Sequence, residues 1–285
     1  MMTVAERFRN KRGQMTRSEL QLGNAILDDY PMSGLCSITE LAAKADVSTP
    51  TVGRMLQKLG FSGYAEFQAA LREELSEMIS NPITKRAHWK STLPEEHILS
   101  QYSRQALANQ QAMLDDLDAD AFDGFCRLLA DPRRRIYVAG GRITGTIAQF
   151  LYLHLQMIRA DVNLIPATVA WPHDLLDVRE GDVLIAFDVR RYENTTLTMA
   201  QMCHEEKAEV VLFTDQWISP IQRHARHIFA ARISVPSAWD SMGSLLLLSE
   251  CTIAAVQQML WDSVQARTDM LEAAFDRTKL FRKFV

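Results

Sequence analysis

Cysteine is scarce in this 285-residue chain. Cys36, Cys126, Cys203 and Cys251 lie far apart, mostly among apolar neighbours, with no C-x-x-C pair. That pattern supports neither a disulfide framework nor a cysteine-based zinc site, and it fits free thiols in a reducing cytosol. No apolar run reaches the length that spans a bilayer. The first residues, MMTVAERFRNKRGQ, carry charge without an apolar core, so they do not read as a secretory signal, and the chain is expected in the cytoplasm with no membrane partner. An excess of positive charge is also missing: the formal net charge is −4, which argues against a protein that is basic all over. Internal repeats and low-complexity segments are absent from the sequence. What is present, 47% hydrophobic and 23% charged residues, is an ordinary globular composition in a chain long enough for two cores.

The most informative stretch runs from Ser37 to Tyr64, SITELAAKADVSTPTVGRMLQKLGFSGY. Its spacing predicts two short helices joined by a tight turn. Ser37 caps the first, with Glu40 three residues on completing a capping box. Ile38, Leu41 and Ala42 form one apolar stripe, and Ala45-Asp46-Val47 makes the turn. Ser48 or Thr49 caps the second helix, Pro50 takes its first position, and Gly60 stops it. Val52, Met55, Leu56 and Leu59 point back at the first helix, which leaves Thr49, Thr51, Arg54, Gln57 and Lys58 facing outward. Small polar residues at the N-terminus with cations farther along suit insertion into a DNA major groove. An ordinary helix pair in a bundle has the same spacing.

Residues 1–90 hold twelve Lys/Arg against ten Asp/Glu, so the rest of the chain carries −6. This slight asymmetry has the sign expected for a DNA-contacting N-terminus on an acidic body. Arg7, Arg9, Lys11 and Arg12 make either a basic arm for phosphates or a frayed, solvated terminus. Helices are predicted over 15–30, 65–79, 95–117 and 121–130, with a polar, proline-containing linker over 81–94. From Arg135 the periodicity changes. Short apolar strands at 136–139, 162–165, 182–187, 209–214 and 227–233 alternate with helices. Continuous apolar strands of this kind predict a doubly wound parallel α/β sheet covered on both faces. A long apolar helix over 241–260 reads as core or as a subunit interface, and an amphipathic basic tail follows.

In such a sheet ligands bind outside the carboxyl ends of the strands, at the switch point. Two loops fall there, Gly140-Gly141-Arg142-Ile143-Thr144-Gly145 and Asp188-Val189-Arg190-Arg191-Tyr192-Glu193-Asn194-Thr195. The first is glycine-rich and opens a helix, so its N–H groups and dipole favour an anion. Arg142, Arg190 and Arg191 add charge, unless they pair with Asp188, Glu193 or surface carboxylates. His173, His204, His224 and His227 are the available bases for an isomerase reading. No His/Cys/Asp grouping has metal spacing and no nucleophile motif is present, so neither catalysis, a metal nor a cofactor is expected.

The stretch from Ser37 to Gln68 resembles the DNA-binding domain of the RpiR family of bacterial transcriptional regulators. The likeness rests on Thr51-Val52-Gly53-Arg54 and Lys58-Leu59-Gly60-Phe61-Ser62-Gly63-Tyr64, with Gly53 a departure that costs about 1 kcal/mol of helix propensity. The second half resembles the SIS (sugar isomerase) domain, which in that family senses sugar phosphates. Element order, the Gly-x-x-x-x-Gly loop, Gly181-Asp182 and Thr214-Asp215 followed by Ser219-Pro220 carry this likeness. The site loops depart from the family. Arg142 and Thr144 replace the second Gly and the Ser of the usual first loop. Asp188, Arg190, Arg191 and Glu193 stand where the family has Ser-x-Ser-Gly-x-Thr.

The resemblance implies a helical helix-turn-helix domain at 1–80, a helical linker at 81–130, a flavodoxin-like SIS domain for ligand and dimerisation at 131–265, and a helical tail at 266–285. It implies double-stranded operator DNA as partner, contacted by Ser48, Thr49, Thr51, Arg54 and Lys58. It further implies a homodimer or tetramer, and a small anionic effector held by Gly140, Gly141, Arg142, Thr144, Asp188, Arg190, Arg191 and Glu193. A regulator that has lost its ligand is the second expectation, and a phosphosugar isomerase the third.

Overall fold

The computed structural model describes residues 2–92 and 96–282. Pro94 and Glu95, expected to end the polar linker and to begin a long helix, lie outside the described residues. The chain forms two compact units, one from residues 1–116, 215–223 and 230–241, the other from 117–214, 224–229 and 242–285.

The first unit is helical: α1 (Val4–Lys11), α2 (Arg17–Asp28), α3 (Ile38–Lys44), α4 (Thr49–Lys58), α5 (Tyr64–Ile79), α6 (Pro82–Thr92) and α7 (Ile98–Asp116). Three of these start in capping boxes, at Thr3/Glu6, Thr16/Glu19 and Ser37/Glu40, each satisfying two backbone donors that a helix leaves unpaired. Phe8, Leu22, Ile26, Leu41, Val52, Leu56 and Phe67 meet in one core. Two expectations change here. The segment from Thr3 to Lys11 is neither an arm nor frayed: the Thr3 cap starts α1, which buries Val4, Ala5 and Phe8. The stretch over 81–94 is helical through Thr92, because Pro82 sits at a helix start, where its missing N–H costs nothing. On α5 the buried positions are Phe67, Leu71 and Glu74, with Leu75 and Met78 only half-buried.

Burying Glu74 has a consequence for stability. Val4 N–H and the Tyr30 hydroxyl donate to its carboxylate. Burial nonetheless pushes its pKa from 4.5 up to about 7, opposed by those two hydrogen bonds and assisted by the neighbouring Glu6 and Glu77. The folded state therefore binds a proton that the unfolded chain releases near pH 4.5. The stability this proton confers is complete below that pH and is lost as pH rises through about 7. Over that window the loss is on the order of 3 kcal/mol. Glu74→Gln is expected to shrink the difference between urea unfolding free energies at pH 5 and pH 8 by about that amount. An unchanged difference would place the titration elsewhere.

The second unit carries α8 (Ala119–Ala130), β1 (Ile136–Gly140), α9 (Gly145–Ile158), β2 (Val162–Ile165), α10 (Trp171–Asp174), β3 (Val183–Asp188), α11 (Asn194–Glu205), most of β4 (Glu209–Asp215) and β5 (Ala225–Ala231), α12 (Gly243–Met259) and α13 (Trp261–Thr278). The strand order is β2-β1-β3-β4-β5, a five-stranded doubly wound sheet. β1 runs parallel to β2 and β3, and β3 to β4, with Gly140 opposite Phe187 and Asp188 opposite Thr214. β3 is buried at every position, as its unbroken apolar run requires. Phe125, Phe213 and Phe229 stack edge-on and tilted beneath the sheet, 5.3 to 5.7 Å apart. α12 buries Leu245, Leu248, Ser249, Thr252 and Val256, so its inner face is core, while Leu246 and Met259 stay exposed. Among the described residues no single helix is long and apolar enough to cross a membrane.

Candidate functional site

The turn before α4 closes at Asp46, which takes a left-handed conformation with φ 48°. Ser48 caps the helix by its backbone alone; its hydroxyl instead pairs with the Thr51 hydroxyl at 2.9 Å. Arg54 Nη2 donates to the same Thr51 oxygen at 3.2 Å. Thr51 is therefore buried and does not face outward as its position in the helix suggests; it links the cap residue to Arg54. Arg54 and Gln57 are exposed, Thr49 is half-buried, and Pro50 is the second residue of the helix rather than the first. No atom lies within 4 Å of where a Cβ on Gly53 would sit, so packing does not require glycine there.

Lys58 differs from the expectation of a free outward cation. Its ammonium sits 2.7 Å from the Glu19 carboxylate and donates to the Gln14 carbonyl at 3.3 Å. Glu19 is almost fully buried. Desolvation raises its pKa, but the Lys58 ammonium and the Thr16 donors outweigh it and hold the carboxyl below its ordinary value. A depression results, lined by Thr16, Ser18, Glu19, Thr51, Arg54, Gln57 and Lys58. Sequence reasoning missed the α2 residues on this surface. The signal was present in Thr16-x-x-Glu19, a capping box that sets the helix start. Of the N-terminal cations, Arg7 is taken up inside the unit: it donates to the Leu59 carbonyl and lies 4.5 Å over the Phe61 ring.

The other site is the pair of loops leaving β1 and β3, adjacent strands at the point where strand order reverses. A Cβ on Gly140 would lie 2.8 Å from the Gly145 nitrogen, so only glycine lets the loop fold back on its own helix start. Thr144 is buried. It accepts from Gly141 N–H at 2.8 Å and donates to the Phe187 carbonyl at 2.8 Å, tying the first loop to β3. Asp188 is buried at the end of β3; its carboxylate accepts from Glu193 N–H at 3.3 Å, and its carbonyl accepts from Thr214 at 2.7 Å. Glu193 reaches across to the first loop, where its Oε1 accepts from Arg142 N–H at 2.7 Å.

The three arginines do not converge as three side chains. Arg190 is buried, Arg142 and Arg191 are exposed, and it is the backbone of Arg142 that meets Glu193. His173 is exposed in the short helix α10. Among the described residues no cluster of three His, Cys, Asp or Glu side chains could hold a metal ion.

A helix-turn-helix unit with an exposed arginine on its second helix, joined in one chain to a doubly wound sheet with paired loops at its switch point, is the architecture of a DNA-binding regulator with an appended α/β domain. The particular family follows from comparison. Residues 2–78 match the helix-turn-helix domain of the rpiR family and residues 128–255 match the SIS domain. The chain belongs to the RpiR family of transcriptional regulators.

Relatives are distant but extensive. HexR, an HTH-type transcriptional regulator of Escherichia coli (strain K12), is 21% identical over 247 residues, 84% of this chain and 80% of that protein. HexR of Pseudomonas aeruginosa is 26% identical over 226 residues, 75% of this chain and 74% of that protein. The Vibrio vulnificus NanR protein, solved complexed with ManNAc-6P, superposes with a TM-score of 0.57 at 16% identity and covers 99% of this chain and 100% of its own. The sugar isomerase domain of an RpiR transcription factor from Sphaerobacter thermophilus gives 0.58 at 18% identity over 62% of this chain and 99% of its own. At these identities the structural likeness establishes the fold.

Proposed function

We propose that this regulator reads operator DNA through the N-terminal half of α4 and responds to a small anionic, carbohydrate-derived metabolite at the loops after β1 and β3. One observation carries the effector part: the two loops meet at the switch point and are linked there by Thr144 and Glu193, so a ligand seated between them acts on both. The solved NanR complex with ManNAc-6P supports a sugar-derived ligand for this fold. On the DNA side, Ser48, Thr49 and Arg54 make the groove and phosphate contacts. Thr51 positions Arg54, and Lys58 contributes its charge from its pair with Glu19. Residues 1–80 form the DNA-binding part, 81–130 the helical connection, 131–265 the sensing part and 266–285 the tail.

The protein works in the cytoplasm as a homodimer or tetramer, because one short recognition helix reads too few base pairs and two-fold operators match two-fold proteins. It is not an enzyme, in line with the regulator names of its relatives. Effector and operator are coupled, so each changes the other's affinity by the same factor.

The test is a thermal-shift screen of the full chain against phosphosugars, sugar acids and other small anions, alongside Arg191→Ala. An anion at a hundred times its Kd stabilises the native state by about 2.7 kcal/mol. A rise in Tm that is absent in the exposed-arginine variant places the effector at these loops. No shift with any compound supports the second reading, a regulator blind to ligand, which the internal Glu193 contact favours.

A further inference from the structure

A glycine-rich loop opening a fourteen-residue helix normally offers free N–H groups and a positive dipole end to an anion. Here the two leading donors are already engaged. Gly141 N–H donates to Thr144, and Arg142 N–H donates to the carboxylate of Glu193 at 2.7 Å. The half-buried carboxylate lies against Gly141: a Cβ there would lie 2.3 Å from Glu193 Oε1 and 2.6 Å from its carboxyl carbon. Any side chain at 141 would push the carboxylate from this position. The backbone of Glu193 is held from the other side, where its own N–H donates to Asp188 at 3.3 Å. The carboxylate thus takes the volume and the donor that an incoming anion would use.

We infer that Glu193 is the specificity-determining residue of this site, a resident anion that excludes phosphate from the first loop. A phosphate placed there has to displace the carboxylate from Arg142 N–H or sit beside it, and two anions at hydrogen-bond distance repel strongly outside bulk water. The remaining carboxylate oxygen, Oε2, is an acceptor. The part of an effector that lies against Gly141 and Glu193 is therefore an uncharged, hydroxyl-bearing group that donates to it, and any negative charge on the effector faces the arginine side of the second loop. This ligand class rests on the proposed function of the loops. Exclusion of phosphate does not, and it can be measured with no effector in hand.

The experiment titrates inorganic phosphate into the full chain by calorimetry, with Glu193→Gln, Glu193→Ser and the double variant Glu193→Ser/Gly141→Ala. The wild type is expected to show no saturable phosphate site at this loop. Removing the charge should tighten phosphate binding by about ten-fold or more. The added methyl group at 141 should abolish that gain by filling the vacated volume. Glu193→Gln keeps the side-chain size and the bond from Arg142 N–H, so it reports on charge without loss of packing, and circular dichroism melts confirm that each variant folds. Wild-type binding as tight as that of Glu193→Ser overturns the inference. So does a failure of both charge-removing variants to gain phosphate binding, or a gain that survives Gly141→Ala. Operator binding by the same variants is read separately, so loss of DNA recognition and loss of the phosphate barrier appear as different results.

Discussion

Arg54→Ala is expected to weaken operator binding by about ten- to hundred-fold, the effect of losing one well-placed arginine contact worth about 1 to 3 kcal/mol. The side chain is exposed on α4, and among the described residues it makes one internal hydrogen bond, the partly buried contact to Thr51 at 3.2 Å, worth about 1 kcal/mol. Alanine is the best helix former, so the fold should keep its stability. Fluorescence anisotropy on an operator fragment, repeated over a range of salt, separates two roles. A uniform loss across DNA sequences with a salt slope reduced by about one marks a phosphate contact. A loss confined to one base position marks direct readout. Unchanged affinity would remove α4 as the reading element.

Phe67→Ala should act through the fold instead, costing about 3 to 5 kcal/mol of stability in the helical unit and taking DNA binding with it. Phe67 is fully buried, edge-on to Phe61 at 5.7 Å and tilted against Tyr64 at 5.6 Å. Its ring also fills the space beside Gly34, where a Cβ would come within 2.9 Å of it. A loss of that size is a large part of what an ordinary domain has. Urea unfolding followed by circular dichroism measures it, and Phe67→Leu, which keeps most of the volume, should recover a substantial share. If Phe67→Ala binds operator normally with an unshifted transition, the core assignment fails. Together the two variants separate recognition from folding, since Arg54→Ala loses affinity in a stable protein and Phe67→Ala loses both.

Local physics wrote much of this molecule legibly into its residues. The Ser37/Glu40 capping box, the Ala45-Asp46-Val47 turn, the Gly60 stop, the α9 boundaries and the β2 boundaries depend on neighbours within a few positions, so periodicity and turn chemistry predict them. The position of the two loops at the switch point followed from the alternation of strands and helices.

What the tertiary structure decided depends on partners far away in sequence. α1 docks because Gly23, fifteen residues later, leaves space where a Cβ would come within 1.8 Å of the Phe8 ring. Lys58 is paired because Glu19 sits thirty-nine positions earlier. Thr51 is buried by the packing that places it under Arg54. Glu74 titrates near neutrality because the packed unit buries its carboxyl, and the hydrogen bonds from Val4 and Tyr30 only partly offset that burial. Glu193 meets Arg142 across fifty-one residues, because β1 and β3 lie side by side. A pattern with a period of two or 3.6 reports which face of an element is apolar. It does not report which distant donor a carboxylate finds, because that is fixed only when the packed elements set both groups within hydrogen-bond range.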